Sequence, residues 1–298
     1  CPSCNADSSE LIYNERKSLG VVRCSNCKLI YTNPRAKEAE QNYFGEVDIF
    51  YQEARLVFNG KKPHHRDKNY NSELKHIQKF KASGKLLDIG SNMGFFLRKA
   101  KEKGFDTLGV EPAPALAEIA KQKFDLKIVN SFFKKEYFEE KSFDVVTMID
   151  VLEHVTTPKE ILKDIHYVLK DDGILCVKVP NGNYNVLKLK LARLMKKEQA
   201  FDIFDSYEHV VHYSIKTMKQ MLEQCGLRVK KVIIPLPIHP PIWASLVGHY
   251  YQYPSPFILD WKRIITRNIF YFIGKIENAL NTKVSFGPDL MFIIEKKE

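Results

Sequence analysis

LLDIGSNMGFF, residues 86–96, joins a short apolar run to a turn with two glycines and then to a helical pattern. Gly90 permits a tight turn, and Gly94 lets a helix start close to the preceding strand. Asn92, between them, tolerates a positive φ almost as well as glycine does. Run, turn and helix in this order predict a strand–turn–helix unit of an α/β sheet, with Asp88 just before the turn.

The rest of the chain repeats this alternation. The strand candidates are KLLDIG, DTLGVEP, LKIVN, FDVVTMID, GILCVKVPN, LRVKKVIIPL and DLMFIIEK. In the helical pattern TPKEILKDIHYVLKDDG, Thr157 and Glu160 predict a capping box, and Gly173 predicts the end. In SIKTMKQMLEQCG, Ser214 is the predicted cap and Gly226 the stop. Alternating strands and helices indicate a doubly wound, mostly parallel sheet that binds ligands at the carboxyl ends of its strands.

The acids beside the turn indicate the ligand. Glu111 ends the second predicted strand, and an acid there can accept both hydroxyls of a ribose. The turn lacks the third glycine at the spacing that a dinucleotide site requires, and Asp88 stands just before the turn. A carboxylate at that place would repel a pyrophosphate but suits a ligand with an ammonium and a sulfonium group. The pattern therefore predicts S-adenosylmethionine.

Four early cysteines form two C-x-x-C pairs in a segment with the composition of a β-ribbon. They are Cys1, Cys4, Cys24 and Cys27. Four thiolates predict a closed tetrahedral site for structural zinc, with no open position for catalysis. A redox role for one pair is the alternative. Cys176 and Cys225 lie in apolar patterns and are interpreted as buried, so the cysteines do not form a disulfide scaffold and we expect a cytoplasmic protein.

The 298 residues have a net charge of +10, 44% hydrophobic residues and no apolar run long enough to span a bilayer. No signal-peptide pattern stands at the start. The positive charge favours an anionic partner such as a nucleic acid, a phosphorylated substrate or a lipid surface, although solubility alone explains it equally well.

Four motifs together resemble those of the class I S-adenosylmethionine-dependent methyltransferases. LLDIGSNMGFFL, LGVEP, FDVVTMIDVLEHV and LKDDGILCVKVPN follow that family's order and spacing. YEHVVHYS and the helix after it resemble the subgroup of ubiquinone-biosynthesis O-methyltransferases. They resemble still more the bacterial methyltransferases with an N-terminal zinc ribbon, many of which act on cell-surface glycans or secondary metabolites. The resemblance implies a Rossmann-like α/β sheet of seven strands whose last strand, DLMFIIEKK, is antiparallel.

The resemblance also implies the residues of the cofactor site. They are Asp88, Gly90, Ser91, Asn92, Gly94, Glu111, Pro112, Asn130, Ser131 and Asp150. Asp88, Gly90 and Gly94 would line the methionine part. Glu111 would bind the ribose, and Pro112 would lie beside the adenine.

Two departures from the family pattern concern this site. Asn92 stands where the first motif usually has its middle glycine. Asn130 and Ser131 stand where an acid often meets the adenine amino group. The adenine contacts are therefore less well defined than the ribose contact.

DVLEH follows the fourth predicted strand and places Asp150, Glu153 and His154 at the start of a helix, facing the transferred methyl group. Three interpretations stay open. The group could bind a divalent metal, as in the quinone-related relatives, which carry Glu in place of Asp150. His154 could be a general base for an acceptor hydroxyl. Otherwise the group shapes the pocket and caps the helix.

YEHVVHYS places Glu208, His209 and His212 on the acceptor side, after the fifth predicted strand. A histidine with a pKa near neutral suits the deprotonation of a sugar or phenolic hydroxyl. The alternative is that these residues hold the loop by hydrogen bonds.

The predicted organisation is a zinc ribbon at 1–35, a helical lead-in at 36–82 and the cofactor-binding domain at 83–298. Residues 183–213 and 236–286 are insertions on the acceptor side. The first contains a basic amphipathic run, with Lys188, Lys190, Arg193, Lys196 and Lys197 between leucines. This run is a solvated face, or it attracts a phosphate-bearing acceptor or an anionic membrane. The second is rich in proline and aromatic residues and predicts a lid, an oligomer contact or a peripheral membrane contact.

Three functions are consistent with these patterns. The first is O-methylation of a small-molecule or glycan acceptor, including a lipid- or nucleotide-linked sugar. The second is RNA methylation, with docking through the ribbon and the basic surface. The chain lacks the Asn-Pro-Pro-aromatic motif of base-methylating enzymes, which counts against amino-group methylation of bases. The third is a non-enzymatic cofactor-binding protein.

Overall fold

The structure is a computed structural model that describes residues 1–15, 19–35, 54–60, 64, 66–197, 202–235, 269, 271–280 and 285–297. Its main sheet has seven strands in the order β10-β11-β8-β7-β4-β5-β6. These are β4 (Gly84–Ile89), β5 (Phe105–Val110), β6 (Lys127–Val129), β7 (Phe143–Ile149), β8 (Leu169–Pro180), β10 (Leu227–Ile233) and β11 (Asp289–Lys296). The last strand, β11, is antiparallel to both neighbours and the other pairs are parallel, which confirms the predicted Rossmann-like sheet.

Helices cover both faces of this sheet. They are α1 (Asp67–Gln78), α2 (Phe95–Glu102), α3 (Pro114–Phe124), α4 (Pro158–Val168), α5 (Gly182–Leu194) and α6 (Ile215–Glu223). Apolar side chains of α4 and α6 pack into one core, and those of α1, α2 and α3 pack into a second core on the opposite face. Burial on both faces explains why the central strands are continuous apolar runs.

A second sheet has four strands in the order β1-β2-β3-β9. Its N-terminal strands are β1 (Ser9–Glu15), β2 (Leu19–Cys24) and β3 (Ile30–Thr32), and β9 is Val211–His212. In the chain, β9 lies between α5 and α6, in the predicted acceptor-side segment. Because β9 is the strand next to β3 in this sheet, the cysteine-containing N-terminal segment shares a sheet with the acceptor-side segment. We call these four strands the cysteine sheet.

Helix ends differ in part from the sequence predictions. Ser214 forms a complete capping box, and Gly226 has a φ of 72° after the helix. The predicted capping box at Thr157 is wrong, because the Thr157 side chain makes no capping hydrogen bond. Gly173 lies inside β8, since the strand begins directly after the helix at Leu169.

Parts of four predicted segments lie outside the described residues. They are 16–18 of the zinc ribbon, 36–53, 61–63 and 65 of the helical lead-in, 198–201 of the first insertion, and 236–268, 270 and 281–284 of the second insertion. Residues 271–280 of that insertion are helical. In the portions of the chain given above, no helix combines the length and apolarity that a membrane crossing requires.

Candidate functional site

The turn after β4 has the backbone that its sequence predicts. Gly90, Asn92 and Gly94 all have positive φ, at 76°, 49° and 78°. The N–H groups of Gly90 and Ser91 donate to the carbonyl of Val110, at 2.8 and 3.0 Å, which ties the turn to the end of β5. A Cβ at Gly90 would lie 2.5 Å from a methyl group of Val151, so only glycine fits there.

Glu111 connects this turn to the next one. Its side chain is fully buried. One carboxylate oxygen accepts the N–H of Asn92 at 2.8 Å, and the other accepts the N–H of Ala113 at 2.9 Å. Contact of this carboxylate with the ribose hydroxyls stays a prediction. In the same turn, the buried hydroxyl of Ser91 has no hydrogen-bond partner among the described residues, as expected where a polar ligand binds.

The side chain of Asn130 binds the main chain at Glu111 and Pro112. Its amide nitrogen donates to the carbonyls of Glu111 and Pro112, at 2.8 and 3.1 Å. The Ser131 hydroxyl donates to the Tyr137 hydroxyl at 3.3 Å. These bonds give Asn130 a defined role in holding the loop, while contact of either side chain with adenine stays a prediction.

Asp88 at the end of β4 is buried and accepts a hydrogen bond of 2.6 Å from the Thr147 hydroxyl. Burial raises the pKa of Asp88 to about 7. A ligand with sulfonium and ammonium groups would favour the ionised carboxylate, whereas a pyrophosphate would oppose it. The residues at the carboxyl ends of β4 and β5 therefore fit S-adenosylmethionine.

Two cations contact the carboxylate of Asp150. It has a positive φ of 56°, and its carboxylate lies 3.0 Å from Lys178 Nζ and 2.5 Å from Arg66 Nη1. Burial acts to raise the pKa of Asp150, but Lys178 and Arg66 outweigh it and lower the pKa to about 2. The carboxylate is thus held by two cations, and its membership of a group with Glu153 and His154 stays a prediction.

Sequence reasoning missed both cations. Lys178 is the only charged residue between Ile174 and Val179 in the apolar run of β8, and this position is a readable signal, because a buried lysine needs a partner. Arg66 directly precedes α1 and also contacts Glu73 at 3.7 Å. No local sequence pattern indicates that Arg66 forms these ion pairs.

Three other predicted residues do meet. Glu153, His154 and His209 offer ligand atoms that all lie within 4.8 Å of one another, and the two imidazole rings are 5.0 Å apart. His154 and Glu153 lie on a short 3₁₀ turn, Leu152–His154, rather than at a helix start. The Glu153 carboxyl is buried, and its Oε2 has no hydrogen-bond partner in the described parts of the chain.

Main-chain groups act on both rings. His154 Nδ1 lies 3.0 Å from the carbonyl of Glu208, and the main chain of Phe204 acts to raise the pKa of the His209 ring. Burial, together with the neighbouring His209, lowers the pKa of His154 to about 4, and burial lowers that of His209. Both imidazoles are therefore neutral near pH 7, and each can accept a proton, His154 only weakly because of its low pKa.

His212 does not share this position. It lies on β9 with 3% of its surface exposed, and its ring packs against Phe204 with centroids 5.1 Å apart. Burial lowers its pKa to about 3. A role of His212 as a base stays a prediction, although the ring is buried in the core. Glu208 contributes its carbonyl to His154, while its side chain is exposed.

The four N-terminal cysteines also converge. Their sulfur atoms lie within 4.8 Å of one another, and the pairs Cys1–Cys27 and Cys4–Cys24 are 3.5 Å apart. A tetrahedral zinc with bonds of about 2.3 Å needs sulfurs about 3.8 Å apart. The geometry fits the predicted four-thiolate zinc site.

Comparison with known proteins agrees with this geometry. A family model described as a methyltransferase domain matches residues 63–232. A ubiquinone biosynthesis O-methyltransferase of Coxiella burnetii (strain Dugway 5J108-111) is 27% identical over 167 residues, which are 52% of this chain and 69% of the relative. The C-methyltransferase NovU of Streptomyces niveus is 28% identical over 152 residues, 49% of this chain and 33% of its own.

Two solved structures share the fold. A chain from the complex of the Haloferax volcanii Trm112 methyltransferase activator with a methyltransferase has a TM-score of 0.54 at 16% identity, covering 85% of this chain and 98% of that one. A geranyl diphosphate methyltransferase in complex with S-adenosylmethionine has a TM-score of 0.52 at 14% identity, covering 82% and 90%.

Proposed function

The chain belongs to the methyltransferase-domain family and is a class I S-adenosylmethionine-dependent methyltransferase, and we propose that it methylates a hydroxyl of a small-molecule or sugar acceptor. The observation that carries the choice of a hydroxyl is the pair of neutral imidazoles, His154 and His209, with centroids 5.0 Å apart. A hydroxyl must lose its proton as it attacks, and a positioned neutral imidazole can take it.

We assign the two sides of the crevice separate tasks. When bound, S-adenosylmethionine supplies an electrophilic methyl group on a sulfonium leaving group. Glu111 would accept the ribose hydroxyls, and Asp88 would face the cationic methionine part. His209 or His154 would accept the proton of the acceptor hydroxyl at its free ring nitrogen. Positioning supplies much of the rate in such a displacement, so losing the base would cost only part of it.

A divalent metal in the acceptor site is the second candidate. Two imidazoles and a buried carboxylate oxygen without a partner are a common ligand set for zinc, manganese or iron. Ligand atoms around such an ion stand about 3–4 Å apart, so Glu153, His154 and His209 would have to close slightly. The metal would then polarise the acceptor hydroxyl, and Asp150 would not be a ligand.

The C-terminal turn of α5 bears on the class of acceptor. Leu191, Leu194 and Met195 are exposed, Leu194 by 82%, beside Lys190 and Arg193. Other apolar residues of α5, Leu189 and Ala192, pack on the cysteine sheet. An apolar patch among cations supports an anionic or lipid-linked acceptor or a peripheral membrane contact.

The test is transfer of labelled methyl from S-adenosylmethionine to phenols, sugar nucleotides, lipid-linked sugars and RNA. We expect a hydroxyl-bearing small molecule or glycan to be labelled. His209→Gln should lower turnover about 100-fold, the lower range for a general base. His166→Gln is the matched control, because His166 is in the last turn of α4 and its ring lies beside Gly226. Labelling of RNA alone, or full turnover without either imidazole, would contradict the proposal.

A further inference from the structure

A buried carboxylate of the cysteine sheet holds the loop that leads to His209. Glu15, the last residue of β1, is 1% exposed. Its Oε1 accepts the N–H groups of Ile203 and Phe204 at 2.6 and 2.8 Å, and its Oε2 accepts that of Ser206 at 2.7 Å. Hydrogen bonds to a charged group are short and strong, so this loop is fixed at three points.

A short turn connects these bonds to His209. Phe204, whose N–H donates to Glu15, is followed by Asp205, whose carbonyl accepts the N–H groups of Glu208 and His209 at 3.1 and 2.9 Å. The main chain of Phe204 also acts to raise the pKa of the His209 ring. A displacement of the Phe204 main chain would therefore move the turn that carries His209.

A second strand of the cysteine sheet holds the same segment. The Thr32 hydroxyl donates to the His209 carbonyl at 3.0 Å, and the Thr32 N–H donates to the Val210 carbonyl at 2.9 Å. The Val210 N–H donates to the carbonyl of Glu153 at 2.8 Å. The main chain around His209 thus lies between the cysteine sheet and the turn that carries His154.

Packing alone does not explain why residue 15 is a carboxylate. A buried carboxylate costs several kcal/mol unless hydrogen bonds compensate for it, and an apolar side chain could anchor a loop without that cost. What a carboxylate adds is a fixed position, because it accepts several amides at defined angles.

We propose that Glu15 is a positioning residue of the methyltransferase, which holds the imidazole of His209 beside that of His154. The proposal deepens the proposed function and rests on it for the chemical role of the two rings. Their relative position can be measured without turnover.

The experiment compares Glu15→Gln with Glu10→Gln, a matched control on the same strand whose side chain is exposed. Glutamine keeps the size of Glu15 but replaces an acceptor oxygen with a donor, which opposes the amides of the loop. The readout is the nuclear Overhauser cross-peak between the imidazole protons of His154 and His209, with calorimetric binding of S-adenosylhomocysteine as the control for folding.

We expect the cross-peak in the unsubstituted protein and in Glu10→Gln, and its loss in Glu15→Gln with unchanged affinity for S-adenosylhomocysteine. With an acceptor in hand, kcat of Glu15→Gln should fall while the KM for S-adenosylmethionine stays the same. A persisting cross-peak in Glu15→Gln that still binds S-adenosylhomocysteine overturns the proposal.

If Glu15→Gln fails to fold, hydrogen exchange in the unsubstituted protein decides. Slow exchange at the amides of Ile203, Phe204 and Ser206 supports the proposal, and exchange as fast as in an open loop refutes it. Unchanged turnover of His209→Gln would instead count against the proposed function, and the measured ring position would stand.

Discussion

In the predicted cofactor site, here the cofactor side, Glu111 bonds amides 2 and 19 residues away, whereas in the predicted acceptor site, here the acceptor side, Glu15 bonds amides 188 to 191 residues away. Both are buried carboxylates that accept main-chain N–H groups. The cofactor side is therefore assembled within one stretch of the Rossmann-like sheet, while the acceptor side needs a second sheet, built in part from the N-terminal segment that carries the four cysteines. The two sides should fail independently of each other.

Removing the zinc that we predict for the cysteine site should have the largest effect, and only on the acceptor side. Structural zinc contributes about 10–16 kcal/mol to the folding of small zinc domains. We expect one zinc per chain by elemental analysis, and loss of it in Cys24→Ser together with fast hydrogen exchange in the cysteine sheet. Cys225→Ser is the control, since Cys225 is not one of the four clustered cysteines and its thiol faces the carbonyl of Lys159 at 3.7 Å. S-adenosylhomocysteine binding should survive; its loss in Cys24→Ser would contradict the independence of the two sides.

Glu111→Ala should have the next largest effect, and only on the cofactor side. The change leaves the amides of Asn92 and Ala113 without their acceptor and removes the predicted ribose ligand. At about 1.5–3 kcal/mol for each lost charge-assisted bond, affinity should fall by a few hundredfold. Calorimetry with S-adenosylhomocysteine measures it, with the exposed Glu118→Ala as the control. Equal binding by both variants would remove Glu111 from the site.

Gly94→Ala should destabilise the protein by about 2–3 kcal/mol, from the left-handed backbone and from overpacking. Its φ is 78°, and a Cβ there would lie 2.5 Å from Leu126 and 3.0 Å from Ala120. Gly60→Ala is the matched control, with a φ of 66° and nothing within 4 Å of the added carbon. Denaturant unfolding should show the Gly60 variant losing about 1 kcal/mol, the backbone share alone. Equal losses of stability in the two variants would mean that the close approach of α2 to α3 does not contribute to the effect of Gly94→Ala.

The smallest effect concerns pH and Asp88. Because burial raises the pKa of Asp88 to about 7, protonation competes with a cationic ligand below that pH. Affinity for S-adenosylmethionine should therefore be about tenfold weaker at pH 6 than at pH 8. Asp88→Asn should bind more weakly and without this pH dependence. A titration of the unsubstituted protein that is flat between these pH values would show that Asp88 stays charged or faces no cation.

The sequence predicts the backbone of the turn after β4 because this turn depends on local backbone chemistry. Positive φ at Asn92 and an acid after β5 follow from residue type and spacing over about twenty residues. The acceptor side depends on contacts between distant segments, which no local pattern encodes. The motif DVLEH suggested that Asp150 joins His154, but Arg66 and Lys178 hold Asp150, and His209 takes that place. No local pattern distinguishes Glu15 from an ordinary polar residue at the end of a strand.

The most direct measurement is a structure of the protein with S-adenosylhomocysteine bound. We predict the nucleoside at the carboxyl ends of β4 and β5, with both ribose hydroxyls within about 2.6–3.2 Å of the Glu111 carboxylate. The thioether should lie between Asp88 and the His154–His209 pair. A nucleoside bound elsewhere, or a Glu111 carboxylate turned away from the ribose, would contradict the assignment of this crevice.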